Sequence, residues 1–100
     1  LNYINAYNCE NFRNEVHLAE GTVGNGCTLQ SNKVKVDNEA WPGAVGYETY
    51  NAAGELIRIT MFGLGDSQIS SKYTYVLFPS NASYIMAVGY DGTKVKIYQK

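Results

Sequence analysis

The sequence predicts an all-β protein, a Greek-key β-sandwich of two similar halves with one disulfide. Three observations predict this class. Apolar and polar residues alternate with period two, turn residues interrupt the alternation roughly every eight to twelve positions, and no segment carries a sustained helical stripe. The 100 residues suit a single domain, 1–100, in which 1–41 and 42–100 are possible half-motifs.

The predicted strands follow one another along the chain with turns between them. Lys33–Asp37 alternates Lys with Val, and exposed Lys makes it compatible with a sheet edge. Leu56–Phe62 is expected to place Ile57, Ile59 and Met61 on one face. The other predicted strands are Tyr3–Tyr7, Glu15–Leu18, Val45–Tyr50, Tyr73–Phe78, Tyr84–Tyr90 and Lys94–Tyr98; the predicted turns are Trp41–Gly43, Asn51–Gly54 and Asp91–Gly92.

A weak internal repeat supports the two halves. Tyr7-Asn8 recurs as Tyr50-Asn51, and Lys33–Val36 resembles Lys94–Ile97. Repeated strand, turn and strand units are expected of paired Greek keys.

Composition excludes two classes of partner. Net charge is −1, which leaves no basic footprint for nucleic acid. The apolar runs are far shorter than the roughly 20 residues of a membrane-spanning helix. We therefore expect neither a nucleic-acid partner nor a membrane span.

Three features predict secretion. The chain begins at Leu1 without Met, holds two Cys, and contains the sequon Asn81-Ala82-Ser83. A disulfide between Cys9 and Cys27 would close a Gly-rich loop and stabilise the fold by about 3 kcal/mol. The alternative is two free thiols. Asn81 is the expected glycosylation site, in a turn-like stretch.

The run Tyr47–Gly54 has an aromatic followed after six residues by Gly, and a later Ser follows the same pattern, for which Ser31, Ser70 and Ser71 are candidates. In these residues the chain resembles a two-motif βγ-crystallin domain. The resemblance implies killer-toxin-like, protease-inhibitor or structural roles. A different disulfide-linked sandwich, as in small fungal effectors, is the alternative.

The resemblance also suggests a calcium loop. Asp66, Ser70 and Ser71 match the family's ligand positions, but Ser67 replaces the second acidic ligand. Calcium takes six to eight oxygen ligands, and carboxylates set its affinity, so one carboxylate implies weak binding. The alternative is a turn held by Ser hydroxyls, and no other cofactor is expected.

His17 is the only His and the centre of the enzymatic alternative. A small hydrolase or ribonuclease-like site would combine it with Glu48 and Arg58. By alternation His17 lies opposite Val16 and Leu18, which favours an ordinary surface position.

The aromatic residues favour a binding protein instead. Tyr and Trp offer large contact area at low entropy cost, so Trp41, Phe62, Tyr73 and Tyr90 are the predicted binding surface. Tyr73 shares a strand face with Tyr75 and Leu77, so that row could instead belong to the core. The sequence thus predicts a secreted, non-catalytic effector, killer-toxin-like or antimicrobial protein. Its expected target is a protein or a cell-surface carbohydrate.

Overall fold

A computed structural model describes residues 17–61 and 72–100 as an all-β protein, which confirms the all-β part of the prediction. Within these ranges no α-helix forms, and a single 3-10 turn spans Asn38–Ala40. The strands of the described residues are β1 (Cys27–Gln30), β2 (Lys33–Asp37), β3 (Ala44–Asn51), β4 (Leu56–Met61), β5 (Tyr73–Leu77), β6 (Ala82–Gly89) and β7 (Lys94–Gln99).

The seven strands form two antiparallel sheets. The first has the order β1-β2-β5, and the second has the order β4-β3-β6-β7. Strand β5 therefore joins residues of both predicted halves in one sheet. The chain crosses between sheets after β2, β4 and β5, while β3–β4 and β6–β7 are hairpins.

One hydrophobic core lies between the two sheets. Val34, Val36 and Val76 enter it from the three-stranded sheet, and Tyr47 and Ile85 enter it from the four-stranded sheet. Each of these side chains is fully buried. Burial of a Val or Ile side chain contributes about 1.5–3 kcal/mol, so the valine face of β2 does much to hold the layers together.

Buried polar groups also link the layers. Thr49 Oγ1 on β3 donates a 2.8 Å hydrogen bond to the carbonyl oxygen of Leu77 on β5. The Asn38 side-chain oxygen accepts from the Tyr47 hydroxyl at 2.7 Å and from Thr74 Oγ1 at 3.0 Å. Because unsatisfied buried donors are costly, these contacts fix how the sheets face each other.

Both predicted hairpin turns are present. In the first, Asn51 Oδ1 accepts from the backbone N–H groups of Ala53 and Glu55, at 3.0 and 2.9 Å, and Gly54 adopts a φ of 84°. In the second, Asp91 Oδ1 accepts from the Thr93 N–H at 3.1 Å. These Asx-type contacts explain why Asn and Asp begin the turns.

Several predictions of detail were wrong. Strand β1 was not predicted, because four mostly exposed residues at a sheet margin carry little apolar alternation. Lys33–Asp37 lies in the middle of its sheet, between β1 and β5. On β4, Ile57 and Ile59 do not share a face: Ile57 packs against the core and Ile59 is exposed, because the register shifts at Ile57 and leaves Ile59 opposite Glu48. His17 and Leu18 are not in a strand.

Some predictions concern residues outside the described ranges. These are the strand Tyr3–Tyr7, Cys9, Phe62 and the calcium-loop residues Asp66, Ser70 and Ser71. Within the described ranges, no helix is long and apolar enough to cross a membrane. The same ranges contain no cluster of three or more His, Cys, Asp or Glu side chains suited to a metal ion.

Candidate binding surface

The outer face of the three-stranded sheet combines lysines with exposed tyrosines. We call this surface the Lys–Tyr face and define it by Lys33, Lys35, Lys72, Tyr73 and Tyr75. Tyr73 is 39% exposed and Tyr75 is 53% exposed. Large aromatic side chains left in solvent on a regular sheet are typical of a recognition surface.

Strand register explains why these side chains point outward. Lys35 lies opposite Tyr75, and Val34 lies opposite Val76. Cross-strand partners share a face, and successive residues alternate between faces. Burial of the valine pair therefore turns the lysine and tyrosine pair towards solvent.

The ammonium groups of this face lie over tyrosine rings. Lys35 Nζ is 4.1 Å from the centroid of the Tyr73 ring, and Lys72 Nζ is 5.3 Å from the same centroid. Lys33 Nζ is 5.2 Å from the centroid of the Tyr75 ring. Cation–π attraction of this kind orders long lysine side chains without neutralising them.

Charge is balanced at only one end of the Lys–Tyr face. Lys72 Nζ lies 3.2 Å from Asp37 Oδ2 and 3.3 Å from Glu39 Oε1, and hydrogen bonds to Asp37 and then Glu39 raise the pKa of Lys72. No carboxylate in the described parts of the chain lies within ion-pairing distance of Lys33 or Lys35. Within the described residues, these two cations therefore have no neutralising partner.

A shallow depression of about 360 Å³ adjoins the uncompensated end of this face. Arg58 and Thr60 of β4 form one side, and Lys33 and Tyr75 form the other. Arg58, like the two lysines, has no carboxylate partner among the described residues. The remaining lining residues are Ser31, Asn32 and Leu77.

The β1–β2 turn fixes the polar margin of the depression. Asn32 adopts a φ of 62°, in the left-handed region that Asn tolerates better than most residues. Its carbonyl oxygen accepts a 2.9 Å hydrogen bond from the Phe78 N–H, just after β5. The turn carrying Ser31 and Asn32 is thereby tied to the strand that carries Tyr75.

The outer face of the four-stranded sheet uses similar residues differently. Glu48 Oε1 accepts a 2.5 Å hydrogen bond from the Tyr50 hydroxyl and lies 2.9 Å from Lys94 Nζ. The Tyr50 ring stacks on Tyr84, with centroids 5.1 Å apart, and Lys96 Nζ lies 4.6 Å from the Tyr84 centroid. We call this group the Glu48 cluster and define it by Glu48, Tyr50, Tyr84, Lys94 and Lys96.

Contacts within the Glu48 cluster shift the pKa values of its own members. Only 11% of the Glu48 side chain is exposed. Burial raises the pKa of Glu48, but hydrogen bonds from Tyr50 and Lys94 outweigh it, so the net pKa is lowered. The hydrogen bond to Glu48 raises the pKa of Tyr50 and that of Lys94. The carboxylate thus holds the cluster together in its ionised form.

The prediction that Trp41 contributes to an exposed binding surface was wrong. Trp41 is 2% exposed and belongs to the core, where its Nε1 donates a 2.9 Å hydrogen bond to the Asn25 carbonyl oxygen. A Cβ added at Gly21 would lie 3.0 Å from the Trp41 ring, which shows how closely the backbone approaches the indole. Satisfying its single N–H allows this large side chain to be buried.

The predicted surface tyrosines are exposed. Tyr73 lies on the Lys–Tyr face, and Tyr90, 43% exposed, lies at the β6–β7 turn. The alternative that Tyr73 and Tyr75 form part of the core was wrong. The inward face of β5 carries Thr74 and Val76 instead.

His17 lies at the surface beside Tyr90 and Asp91. Its Nδ1 is 3.3 Å from Asp91 Oδ2, and its Nε2 is 3.4 Å from the Tyr90 hydroxyl oxygen. The pKa of Asp91 is lowered mainly by hydrogen bonds from Thr93. The structure therefore pairs His17 with Asp91, whereas Glu48 is engaged with Tyr50 and Lys94.

Cys27 lies at the start of β1 and forms no disulfide with another described residue. Its Sγ lies 3.4 Å from the Ile97 carbonyl oxygen, and burial raises the pKa of the thiol to about 11. Its predicted partner, Cys9, lies outside the described residues, so the disulfide is not confirmed.

The predicted glycosylation site lies in an exposed turn. The Ala82 N–H donates a 2.9 Å hydrogen bond to the Pro79 carbonyl oxygen, closing a turn that includes Asn81. The Asn81 side chain is exposed, while the Ser83 hydroxyl accepts from Gln99 Nε2 at 3.2 Å. Glycosylation itself stays a prediction.

Comparison with known proteins adds no family assignment. No protein-family model matches the chain, and neither a curated protein nor a solved structure does.

Proposed function

We propose that this protein is a secreted, non-catalytic binding module that uses the Lys–Tyr face to hold its target. The proposal is supported by the exposed rings of Tyr73 and Tyr75 beside Lys33 and Lys35, which pair with no carboxylate of the described residues. Aromatic area provides contact, and fixed positive charge provides selectivity. Such a module suits an effector, toxin-like or antimicrobial protein whose activity is to bind a surface outside the cell.

The binding role is tested by removing the aromatic area. The double variant Tyr73→Ala/Tyr75→Ala and the control Tyr90→Ala are compared with the unaltered protein for co-sedimentation with microbial and plant cell-wall preparations. We expect the unaltered protein and Tyr90→Ala to sediment and the double variant to stay in solution. Tyr90 is a matched control because it is similarly exposed but belongs to another surface.

Two results would contradict the proposal. One is sedimentation of the double variant to the same extent as the unaltered protein. The other is no sedimentation of the unaltered protein with any preparation. Thermal melting of each variant, followed by circular dichroism, distinguishes loss of binding from loss of folding.

The Greek-key arrangement of two similar halves and the Cys9–Cys27 disulfide belong to the same proposal. The pairing is supported by the presence of two Cys in the chain, which is expected of a secreted protein with one disulfide. A disulfide predicts that neither Cys is alkylated in the unfolded, unreduced protein. Alkylation of both without reductant would exclude it.

A further inference from the structure

We infer that the depression beside the Lys–Tyr face binds a carboxylated sugar of a linear acidic polysaccharide. The inference rests on the proposed function and adds the chemical class of the target. The carboxylate would lie between Lys33 and Arg58, and the sugar ring would pack on Tyr75.

Strand geometry favours an extended ligand. Lys33 and Lys35 are two residues apart on β2, and Tyr73 and Tyr75 are two residues apart on β5. Residues at this spacing on one strand face repeat about every 6.8 Å. A surface that repeats a cation and an aromatic ring along a line fits a chain of repeating units better than a compact molecule.

The depression supplies the chemistry for one charged unit. Arg58 offers a planar fork of donors that matches a carboxylate, and Lys33 adds a second positive charge. The exposed Tyr75 ring can cover the apolar face of a sugar. The neutral polar groups of Ser31, Asn32 and Thr60 provide hydroxyl and amide partners for sugar hydroxyls.

The same surface disfavours nucleic acid. Asp37 and Glu39 lie at the Lys72 end, where a continuous phosphate chain would meet two carboxylates. Nucleic-acid affinity depends on neutralising many phosphates, whereas this face offers few unpaired cations on a chain of net charge −1. A polysaccharide of uronic acids places more free hydroxyl groups beside each charge than RNA does, which agrees with the neutral polar side chains that line the depression.

The experiment is calorimetric titration of the full chain with four kinds of probe. These are an oligogalacturonate, an oligoglucuronate, the methyl esters of both, and polyuridylate. We expect one of the carboxylated probes to bind and its methyl ester to bind at least about tenfold more weakly, because esterification removes the charge-assisted hydrogen bonds.

Matched variants locate the site. Arg58→Gln and Lys33→Gln are each expected to weaken binding of that carboxylated probe about tenfold. Lys96→Gln, which removes a lysine of the Glu48 cluster over a tyrosine ring, is expected to leave it unchanged. Equal losses for all three variants would overturn the assignment of the site.

Other outcomes separate this inference from the proposed function. Equal affinity for the ester, absence of binding by both carboxylated probes, or tighter binding of polyuridylate would each overturn the acidic-sugar inference. The binding function would still stand if Tyr73→Ala/Tyr75→Ala abolished co-sedimentation. It would fail only if that double variant sedimented normally or nothing sedimented.

Discussion

The two outer faces of the sandwich carry nearly the same sequence pattern but use it differently. Strand β2 reads Lys-Val-Lys-Val and β7 reads Lys-Val-Lys-Ile, and each presents lysines beside tyrosine rings of a neighbouring strand. On the four-stranded sheet, Glu48 on β3 engages Lys94. On the three-stranded sheet, no described carboxylate engages Lys33 or Lys35.

This difference shows that the neighbouring strand decides the role of a lysine. A mostly buried carboxylate with a hydroxyl donor turns Lys94 into part of the folded structure. On β2, where no described carboxylate is within reach, the ammonium groups lie over the rings of Tyr73 and Tyr75, at the surface that we propose for a ligand. One face therefore contributes mainly to stability, and the other is the face that we propose for recognition.

The largest expected difference between the two faces is the loss of stability when Glu48 is removed. Glu48→Ala removes the acceptor for Tyr50 and the partner of Lys94, and should lower the free energy of unfolding by about 2 kcal/mol. Lys35→Ala should change it by no more than about 0.5 kcal/mol, as is usual for surface positions. Urea unfolding of both variants measures the difference. Equal losses would show that both faces are structural.

A smaller effect is expected from copying the Glu48 arrangement onto the Lys–Tyr face. Thr28 on β1 is exposed and lies directly opposite Lys35. Thr28→Glu would place a carboxylate beside that lysine and should weaken binding of the carboxylated oligosaccharide about fivefold, at nearly unchanged stability. Thr28→Gln is the control of matched shape. Equal binding of the carboxylated oligosaccharide by Thr28→Glu and Thr28→Gln would show that a carboxylate beside Lys35 does not change its role.

Much of the fold could be predicted from local pattern. Strand β2 has the predicted bounds, and the hairpin turns predicted at Asn51–Gly54 and Asp91–Gly92 are present. These features are determined by residues close in sequence, through period-two alternation in strands and the turn propensity of Asn, Asp and Gly. Strand β1 lacked such a signal, because its exposed residues at a sheet margin need no alternation.

The candidate site was less predictable because it depends on pairing across the chain. Tyr-Thr-Tyr-Val on β5 offers two acceptable faces, and only the Val34–Val76 contact decides which one is buried. Trp41 could be assigned to the core only once Asn25 was known to accept its N–H. The exposed tyrosines at positions two apart and the lysines of β2 were visible signals, but nothing local showed that they share a face.

The smallest expected effect that distinguishes the faces is the pH dependence of the Glu48 cluster. Burial raises the pKa of Glu48, and the hydrogen bonds from Tyr50 and Lys94 more than offset this, so the pKa in the folded state lies below the ordinary 4.5. Below pH 4.5 the unfolded chain therefore binds this proton more readily than the folded chain does. The stabilisation is fully present above that pH and is lost as the pH falls through the folded pKa.

Urea unfolding of the unaltered protein and of Glu48→Gln from about pH 7 to about pH 3 measures this effect. The difference between their free energies of unfolding should narrow as the pH falls. Lys35→Gln, measured in the same way, should show no such narrowing, because no carboxylate of the described residues pairs with Lys35. A Glu48→Gln gap that stayed constant or widened towards low pH would mean that the carboxylate is not held ionised by its partners, and the contrast between the two faces would lose its electrostatic basis.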